Sequence, residues 1–146
     1  MQHYYFEDKV FISDVEVIIN CSQEEMENYL GRKLKDKLLK VGNNRISNGC
    51  FFTLQKDDNQ IRVIWIKKFD WSVSSQAVLA HELLHFILAV MDYKDIPISK
   101  KNEETMTYYF QSYYTQIWWK LRTLNPNHKN IVKKHQKKRS ERKYKI

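Results

Sequence analysis

Cysteine is scarce in this sequence of 146 residues, which contains only two. Cys21 and Cys50 lie far apart and form no CxxC pair, so the sequence predicts neither a disulfide framework nor a cysteine-rich zinc site. We expect both side chains to be buried thiols in a reducing compartment.

A long uninterrupted apolar segment is also absent. The first ten residues, MQHYYFEDKV, contain acids where a signal peptide has an apolar stretch. The most apolar neighbourhood, residues 78–91, is interrupted by His81, Glu82 and His85 and is too short to span a bilayer. We therefore expect an intracellular protein that is not secreted by a signal peptide and does not bind a membrane.

Net charge is absent from most of the chain, although the whole protein carries +8. Residues 127–146 hold nine Lys and Arg and one Glu, which accounts for the entire excess, whereas residues 1–126 hold 16 bases and 16 acids. This division predicts a neutral domain, 1–126, and a basic, flexible tail, 127–146. The tail is suited to nucleic acid or an acidic protein, or else it is a solvated end that keeps the protein soluble.

The hydrophobic content of 42% and aromatic content of 14% are enough for a single core. Alternation around Val15, Val17 and Ile19 predicts a half-buried strand. Ser22 and Glu25 form a capping-box pattern before a helix whose apolar spacing continues to Leu39. Two apolar segments, CFFTL and IRVIWI, bracket the polar residues 56–60 and predict a hairpin with a loop of about five residues.

Two further helices are predicted after the hairpin. Ser72, Ser74 or Ser75 can cap a helix that is apolar around most of its circumference and is therefore expected to be buried. Pro97 breaks the chain, and Ser99 can cap a last helix that continues to about Leu121. The fold class is therefore α+β, with a small antiparallel sheet, a helix near the N-terminus, a buried central helix, a long last helix and the basic tail.

One motif carries a strong chemical signal: His81-Glu82-Leu83-Leu84-His85, in the buried helix. Two histidines four residues apart project from the same helix face, so two imidazole nitrogens can bind one metal ion. The adjacent Glu82 can act as a general base on a water molecule that the metal has acidified. The motif predicts Zn²⁺ as the cofactor, His81 and His85 as ligands and Glu82 as the catalytic residue.

A catalytic zinc site usually has three protein ligands, and the start of the last helix offers Glu103 and Glu104. Glu103 falls on the apolar side of the helix with Met106 and Phe110, which favours it as the inward group. Glu104 falls on a stripe of smaller residues that includes Thr107, which would allow two helices to approach closely. The residues alone leave both glutamates open.

The HExxH motif followed by a glutamate on a second helix resembles the gluzincin class of zinc peptidases, in which a small side chain follows the glutamate ligand by three residues. Glu104 with Thr107 fits that pattern, whereas Glu103 would be followed by Met106. The segment HELLHFILAVMDYKDIPISKKNEETMTYY is more narrowly similar to small HExxH proteins encoded by tailed bacteriophages and prophages.

In those phage proteins a segment D-Y-x-x-[VI]-P-I-[ST] leads to N-x-E-x-x-[small]-Y, and the match implies Glu104 as the third metal ligand. It also implies a minimal zincin-like domain, a peptidase activity and a place in the cytoplasm of a host bacterium or on the virion. The gluzincin Asp that follows the ligand by four residues is replaced by Tyr108, so no partner is assigned that would orient His81 or His85.

Two classes of function follow. The first is a zinc-dependent peptidase that acts on a peptide or protein substrate, with Tyr108 or another tyrosine of the last helix as oxyanion donor and the strand 61–66 pairing with an extended substrate. The second is a phage structural or assembly protein with a structural or vestigial zinc site and a tail that binds nucleic acid. Glu82 favours catalysis, because a purely structural zinc site needs no general base.

Overall fold

A computed structural model gives the fold of most of the neutral part of the chain, namely residues 1–7, 13–36, 39–41, 48–56 and 59–122. The expected boundary at Pro126 and the basic tail 127–146 lie outside the described residues. The elements in chain order are β1 (Gln2–Phe6), β2 (Val15–Ile19), α1 (Gln23–Lys33), β3 (Gly49–Lys56), β4 (Asn59–Ile66), α2 (Val73–Tyr93) and α3 (Glu103–Arg122). The predicted α+β class is confirmed.

The four strands form one sheet in the order β1-β2-β4-β3. The outer pairs are antiparallel, but β2 and β4 are parallel, with Glu16 opposite Val63 and Ile19 opposite Ile66. The prediction of an antiparallel sheet is therefore wrong for the central pair. A parallel pair needs a long crossover, and the connection from β2 to β4 contains both α1 and β3. Among the residues that the structure describes, the edges of the sheet are β1 and β3.

Helices cover both faces of the sheet, so β2 is buried along its whole length. Val15, Val17 and Ile19 pack towards α2 and α3. Ile18 packs on the other face with apolar residues of α1. The strand was expected to be half-buried, and it differs because a central strand of a covered sheet has no solvent face.

The predicted capping box starts α1. The Ser22 hydroxyl accepts a hydrogen bond from the backbone N–H of Glu25 at 3.2 Å, and the Glu25 carboxylate accepts one from the N–H of Ser22 at 2.7 Å. The helix ends at Lys33, earlier than the apolar spacing suggested, and Lys35 has a φ of +53°. A residue whose backbone has this left-handed conformation cannot continue a right-handed helix.

A buried carboxylate joins α1 to the sheet. Glu16 of β2 is 2% exposed and accepts hydrogen bonds from Lys33 Nζ and from the Tyr29 hydroxyl, each at 2.5 Å. The Tyr29 hydroxyl also lies 3.2 Å from Nδ1 of His3 on β1. Burial and the negative charge of Glu16 raise the pKa of Tyr29, so this phenol remains a donor.

The hairpin is longer than predicted, since β3 continues to Lys56 and β4 begins at Asn59. Most of the polar segment 56–60 is therefore strand. Ser72 is the residue that caps α2, and its hydroxyl accepts from the N–H of Ser75 at 3.2 Å. Asn102, and not the expected Ser99, directly precedes the first residue of α3.

The long helices α2 and α3 pack antiparallel. Phe86 of α2 contacts Tyr113 of α3 with ring centroids 4.9 Å apart, and Trp71, just before α2, contacts Trp118 at 5.9 Å. With 21 residues, α2 is long and apolar enough to cross a membrane by length and composition alone. One such helix is weak evidence of a membrane span, and eight of its residues are buried inside this fold.

Candidate metal centre

The two histidines of the HExxH motif converge on one side of α2. Nε2 of His85 lies 3.1 Å from Nε2 of His81, and the ring planes are nearly perpendicular, at 82°. Both side chains are exposed, although the helix was expected to be buried around most of its circumference. The neighbouring Leu84 is exposed as well, so α2 presents one solvent-facing stripe that contains the motif histidines.

The spacing of the two nitrogens fits a tetrahedral zinc site. Two nitrogens that each lie about 2.0–2.1 Å from one tetrahedral zinc ion are separated by roughly 3.3 Å. The observed Nε2–Nε2 distance of 3.1 Å is close to this value, and both histidines are exposed to solvent. His81 and His85 therefore fit two of the three protein positions of such a site.

Glu82 points into the protein, away from the exposed stripe. Its side chain is 8% exposed, and Oε2 accepts a hydrogen bond from the backbone N–H of Phe51 in β3 at 2.8 Å. A hydrogen bond to an ionised carboxylate is roughly twice as strong as a neutral one. The candidate general base thus has a fixed partner on the edge strand.

Gly49 allows β3 to lie this close to α2. A Cβ at this position would be 2.8 Å from Cγ1 of Val78 and 2.9 Å from the carbonyl oxygen of Trp65. Both distances are below ordinary van der Waals contact, so a larger residue would push the strand away from the helix. The same Cβ would lie 3.6 Å from Cγ of Glu82, which places the glycine beside the carboxylate.

Cys50 is the titratable neighbour of Glu82. Burial of the Cys50 thiol and the nearby charge of Glu82 raise its pKa to about 12. The thiol is therefore neutral at physiological pH. Both Cys21 and Cys50 are free cysteines, in agreement with the prediction of unpaired thiols, and Cys21 is buried whereas Cys50 is half-buried.

The two candidate third ligands lie in the first turn of α3, and both are exposed. Within the described part of the chain, no group of three His, Cys, Asp or Glu side chains is close enough to hold a metal ion. Phe86, the chain neighbour of His85, contacts Tyr113 of α3. Glu104 precedes Tyr113 by nine residues, so the two positions are separated by roughly 14 Å along the axis of α3. The structure brings His81 and His85 together, and Glu104 as third ligand stays a prediction.

Glu103 borders a separate cavity of about 360 Å³ between the end of α2 and the start of α3. Met91 and Met106 provide apolar walls of this cavity. Glu103 is nevertheless exposed, so the inward position that the helical wheel gave to it is wrong.

The strand expected to pair with a substrate has no open edge. β4 is hydrogen-bonded to β2 on one side and to β3 on the other, so that prediction is wrong, and β3 is the edge strand beside α2. Among the tyrosines of α3, Tyr113 is buried and its hydroxyl donates to the carbonyl of Ser13. Tyr108 is 66% exposed, so its hydroxyl is accessible, and its role as oxyanion donor stays a prediction.

The backbone N–H of Phe51 and the close approach at Gly49 were not identified from the sequence. A glycine that enters a strand often marks a close backbone approach, and this signal could have pointed to the contact.

Comparisons with protein-family models, with curated proteins and with solved structures found no match.

Proposed function

We propose that this protein is a zinc-dependent peptidase of bacteriophage or prophage origin, with His81, His85 and Glu104 as metal ligands and Glu82 as general base. The observation that carries the proposal is the pair of Nε2 atoms 3.1 Å apart on α2, with a buried carboxylate on the next residue. A zinc ion held there would polarise a scissile carbonyl and lower the pKa of water.

The histidines and glutamates of the proposed site have different roles. The two imidazoles would hold the ion at the exposed side of α2, where a substrate can reach it. Glu82 takes a proton from the attacking water and transfers it to the leaving amine. Glu104 supports the proposal through its position in the phage-like segment, and it completes the ligand set if the first turn of α3 comes closer to α2 on metal binding.

The substrate is an extended peptide that pairs with β3. This strand is an edge of the sheet, it lies against α2, and its Phe51 contacts the motif glutamate. Addition of a strand to an open edge gives a peptide main-chain hydrogen bonds and an extended shape suited to hydrolysis. The working place proposed for the enzyme is the cytoplasm of the host bacterium or the virion.

A second candidate is a phage structural or assembly protein with a structural or vestigial zinc site and a tail, 127–146, that binds nucleic acid or an acidic protein. The observation in its favour is that the Glu82 carboxylate is already bound to the backbone of β3. A residue that fixes a strand to a helix has a structural use without catalysis.

Metal analysis and one substitution separate the two candidates. The purified full chain is analysed for bound zinc and is tested with a library of extended peptides, beside the Glu82→Gln variant. The peptidase proposal expects one zinc per chain, cleavage by the wild type and a loss of at least about 100-fold in the variant. Zinc without any cleavage favours the structural protein, and equal cleavage by both proteins contradicts the role of Glu82.

A further inference from the structure

The edge strand β3 presents alternate backbone groups to its open side. The carbonyl of Asn48 accepts a hydrogen bond from the N–H of Lys67 at 2.9 Å. In this register the backbone N–H and C=O groups of the even-numbered residues of β3 point towards β4. In an antiparallel pair the residues between them turn their N–H and C=O groups away from the partner strand. In the described part of the sheet, the outward N–H and C=O groups are therefore those of Gly49, Phe51 and Thr53, on the side of β3 that has no neighbouring strand.

One of these outward N–H groups is taken by the motif glutamate. The N–H of Phe51 donates to Oε2 of Glu82 at 2.8 Å, while the Phe51 ring packs on Phe86 of α2 with centroids 5.9 Å apart. An incoming antiparallel strand that pairs with Phe51 needs the same N–H as a donor to its own carbonyl. A substrate strand and the Glu82 carboxylate thus compete for one hydrogen-bond donor.

We propose that the Glu82–Phe51 hydrogen bond is a latch that a peptide opens by pairing with β3. The inference rests on the proposed function and adds a regulation to it. A carbonyl oxygen of the peptide replaces Oε2 as the acceptor of the Phe51 N–H, so one hydrogen bond is exchanged for another and no covalent bond changes. The released carboxylate is then free to accept a proton beside His81 and His85.

The latch restricts the substrate class. A polypeptide segment with several residues in extended conformation can pair with β3 and release Glu82, whereas a single blocked amino acid has no strand to offer. The enzyme is therefore selective for extended segments. With a small amide or ester, Glu82 remains hydrogen-bonded to the Phe51 N–H and does not act as general base. Gly49 is required for this device, because it keeps β3 within reach of the carboxylate.

Amide hydrogen exchange tests the latch without any catalysis. The full chain is compared with its Glu82→Ala variant, and exchange at the Phe51 and Thr53 amides is followed by NMR. The latch requires slow exchange at Phe51 in the wild type and an acceleration of at least about tenfold in the variant, because a bond to a charged acceptor is lost. The Thr53 amide serves as the internal control and keeps its rate. Equal Phe51 rates in the two proteins would overturn the proposal.

The exchange of partners is tested with the peptide acetyl-(Thr-Val)₃-amide. A matched peptide, N-methylated at every residue, has both edges blocked for strand pairing and is the control. The expected result is that the unmethylated peptide protects Thr53 and shifts the side-chain carboxyl ¹³C resonance of Glu82, whereas the control peptide does neither. Protection of Thr53 with an unchanged Glu82 resonance, or no protection of Thr53, contradicts the release.

Proline substitution tests the coupling to activity. Phe51→Pro removes the donor at an outward-facing edge position, where proline is tolerated, and Phe51→Ala removes the ring but keeps the donor. The latch predicts that Phe51→Pro cleaves a blocked dipeptide amide faster than Phe51→Ala and has a higher KM for a long peptide. Thr53→Pro is expected to raise the KM for the long peptide without a gain on the dipeptide.

The outcomes of the two proposals are separable. If neither the wild type nor any variant cleaves a peptide, the peptidase proposal fails, and the exchange measurements still decide whether a peptide opens the latch. If the wild type cleaves peptides but Phe51→Pro and Phe51→Ala have the same KM and kcat on both substrates, the latch fails and the peptidase stands.

Discussion

Nε2 of His81 and Nε2 of His85 lie 3.1 Å apart on the exposed side of α2, which is the separation expected of two nitrogens that share one zinc ion. This pair leads to the first prediction. Replacement of either histidine by Ala removes a ligand, so zinc affinity falls by more than about 100-fold, beyond the effect of losing a supporting residue. Isothermal titration with zinc measures the change. His3→Ala is the matched control, because His3 is an exposed histidine on β1, and an equal loss in this control would contradict the site.

The second prediction separates the two glutamates of the first turn of α3. We expect Glu104→Ala to weaken zinc binding by at least about tenfold, because a carboxylate ligand is lost. Glu103→Ala serves as the control and is expected to keep the affinity, since Glu103 borders the cavity between α2 and α3. The reverse order of effects in the same titration would assign the ligand to Glu103.

The third prediction concerns Glu16, the buried carboxylate beneath α1. Tyr29→Phe removes a donor to a buried charge and is expected to lower the free energy of unfolding by about 1.5–3 kcal/mol. The measurement is urea denaturation near neutral pH. Tyr5→Phe is the control, because the Tyr5 hydroxyl donates to Asp14 at an exposed position and a surface change costs less than about 0.5 kcal/mol. Losses of equal size would show that burial of Glu16 adds nothing.

The fourth prediction concerns the close approach of β3 to α2. Gly49→Ala introduces a methyl group within 3 Å of Val78 and of the Trp65 carbonyl, so we expect a loss of about 1–3 kcal/mol in the free energy of unfolding. Asn48→Ala, at the exposed neighbouring position, is the control and is expected to have little effect. A Gly49→Ala protein as stable as the wild type would mean that the strand can move away without cost.

The fifth prediction is a pH dependence. The pKa of Cys50 is raised to about 12 in the folded chain, from an ordinary value of 9.0. Well below pH 9 the thiol is protonated in both the folded and the unfolded chain, and its contribution to the free energy of unfolding is fully present. Between pH 9 and about 12 the unfolded chain has lost this proton and the folded chain has kept it, so stability falls as the pH rises.

Thiolate absorbance measures the titration of Cys50, with Cys21→Ser present to remove the other thiol. Addition of Glu82→Gln removes a negative charge near the sulfur, so the pKa of Cys50 is expected to decrease. An unchanged titration curve would contradict the electrostatic contribution of Glu82.

Local signals predicted the elements well. The capping box of Ser22 and Glu25 starts α1, a serine caps α2, and the spacing of the motif histidines places them side by side. Each of these features depends on residues within about one helical turn, which is the range that a sequence pattern describes directly.

Features that depend on distant parts of the chain were not predicted. Periodicity indicates that β2 and β4 are strands but carries no information on their pairing, so the parallel register was missed. The apolar composition of α2 predicted a helix buried around most of its circumference, yet α3 and the sheet leave a stripe with His81 and His85 exposed. The contact of Glu82 with Phe51 joins residues 31 positions apart and follows only from the packing of α2 on β3.

The pairing of β2 with β4 also has a consequence for how the chain folds. β1, β2 and α1 are synthesised first, but β2 gains its second neighbour only after β3 and β4 have been made. Contacts between residues far apart in sequence slow folding, because a long loop must close before they form. We therefore expect the rate-limiting step of folding to be the joining of an N-terminal unit, β1-β2-α1, to the β3-β4 hairpin. A chain whose synthesis stops before Ile66 is expected to lack the complete four-stranded sheet.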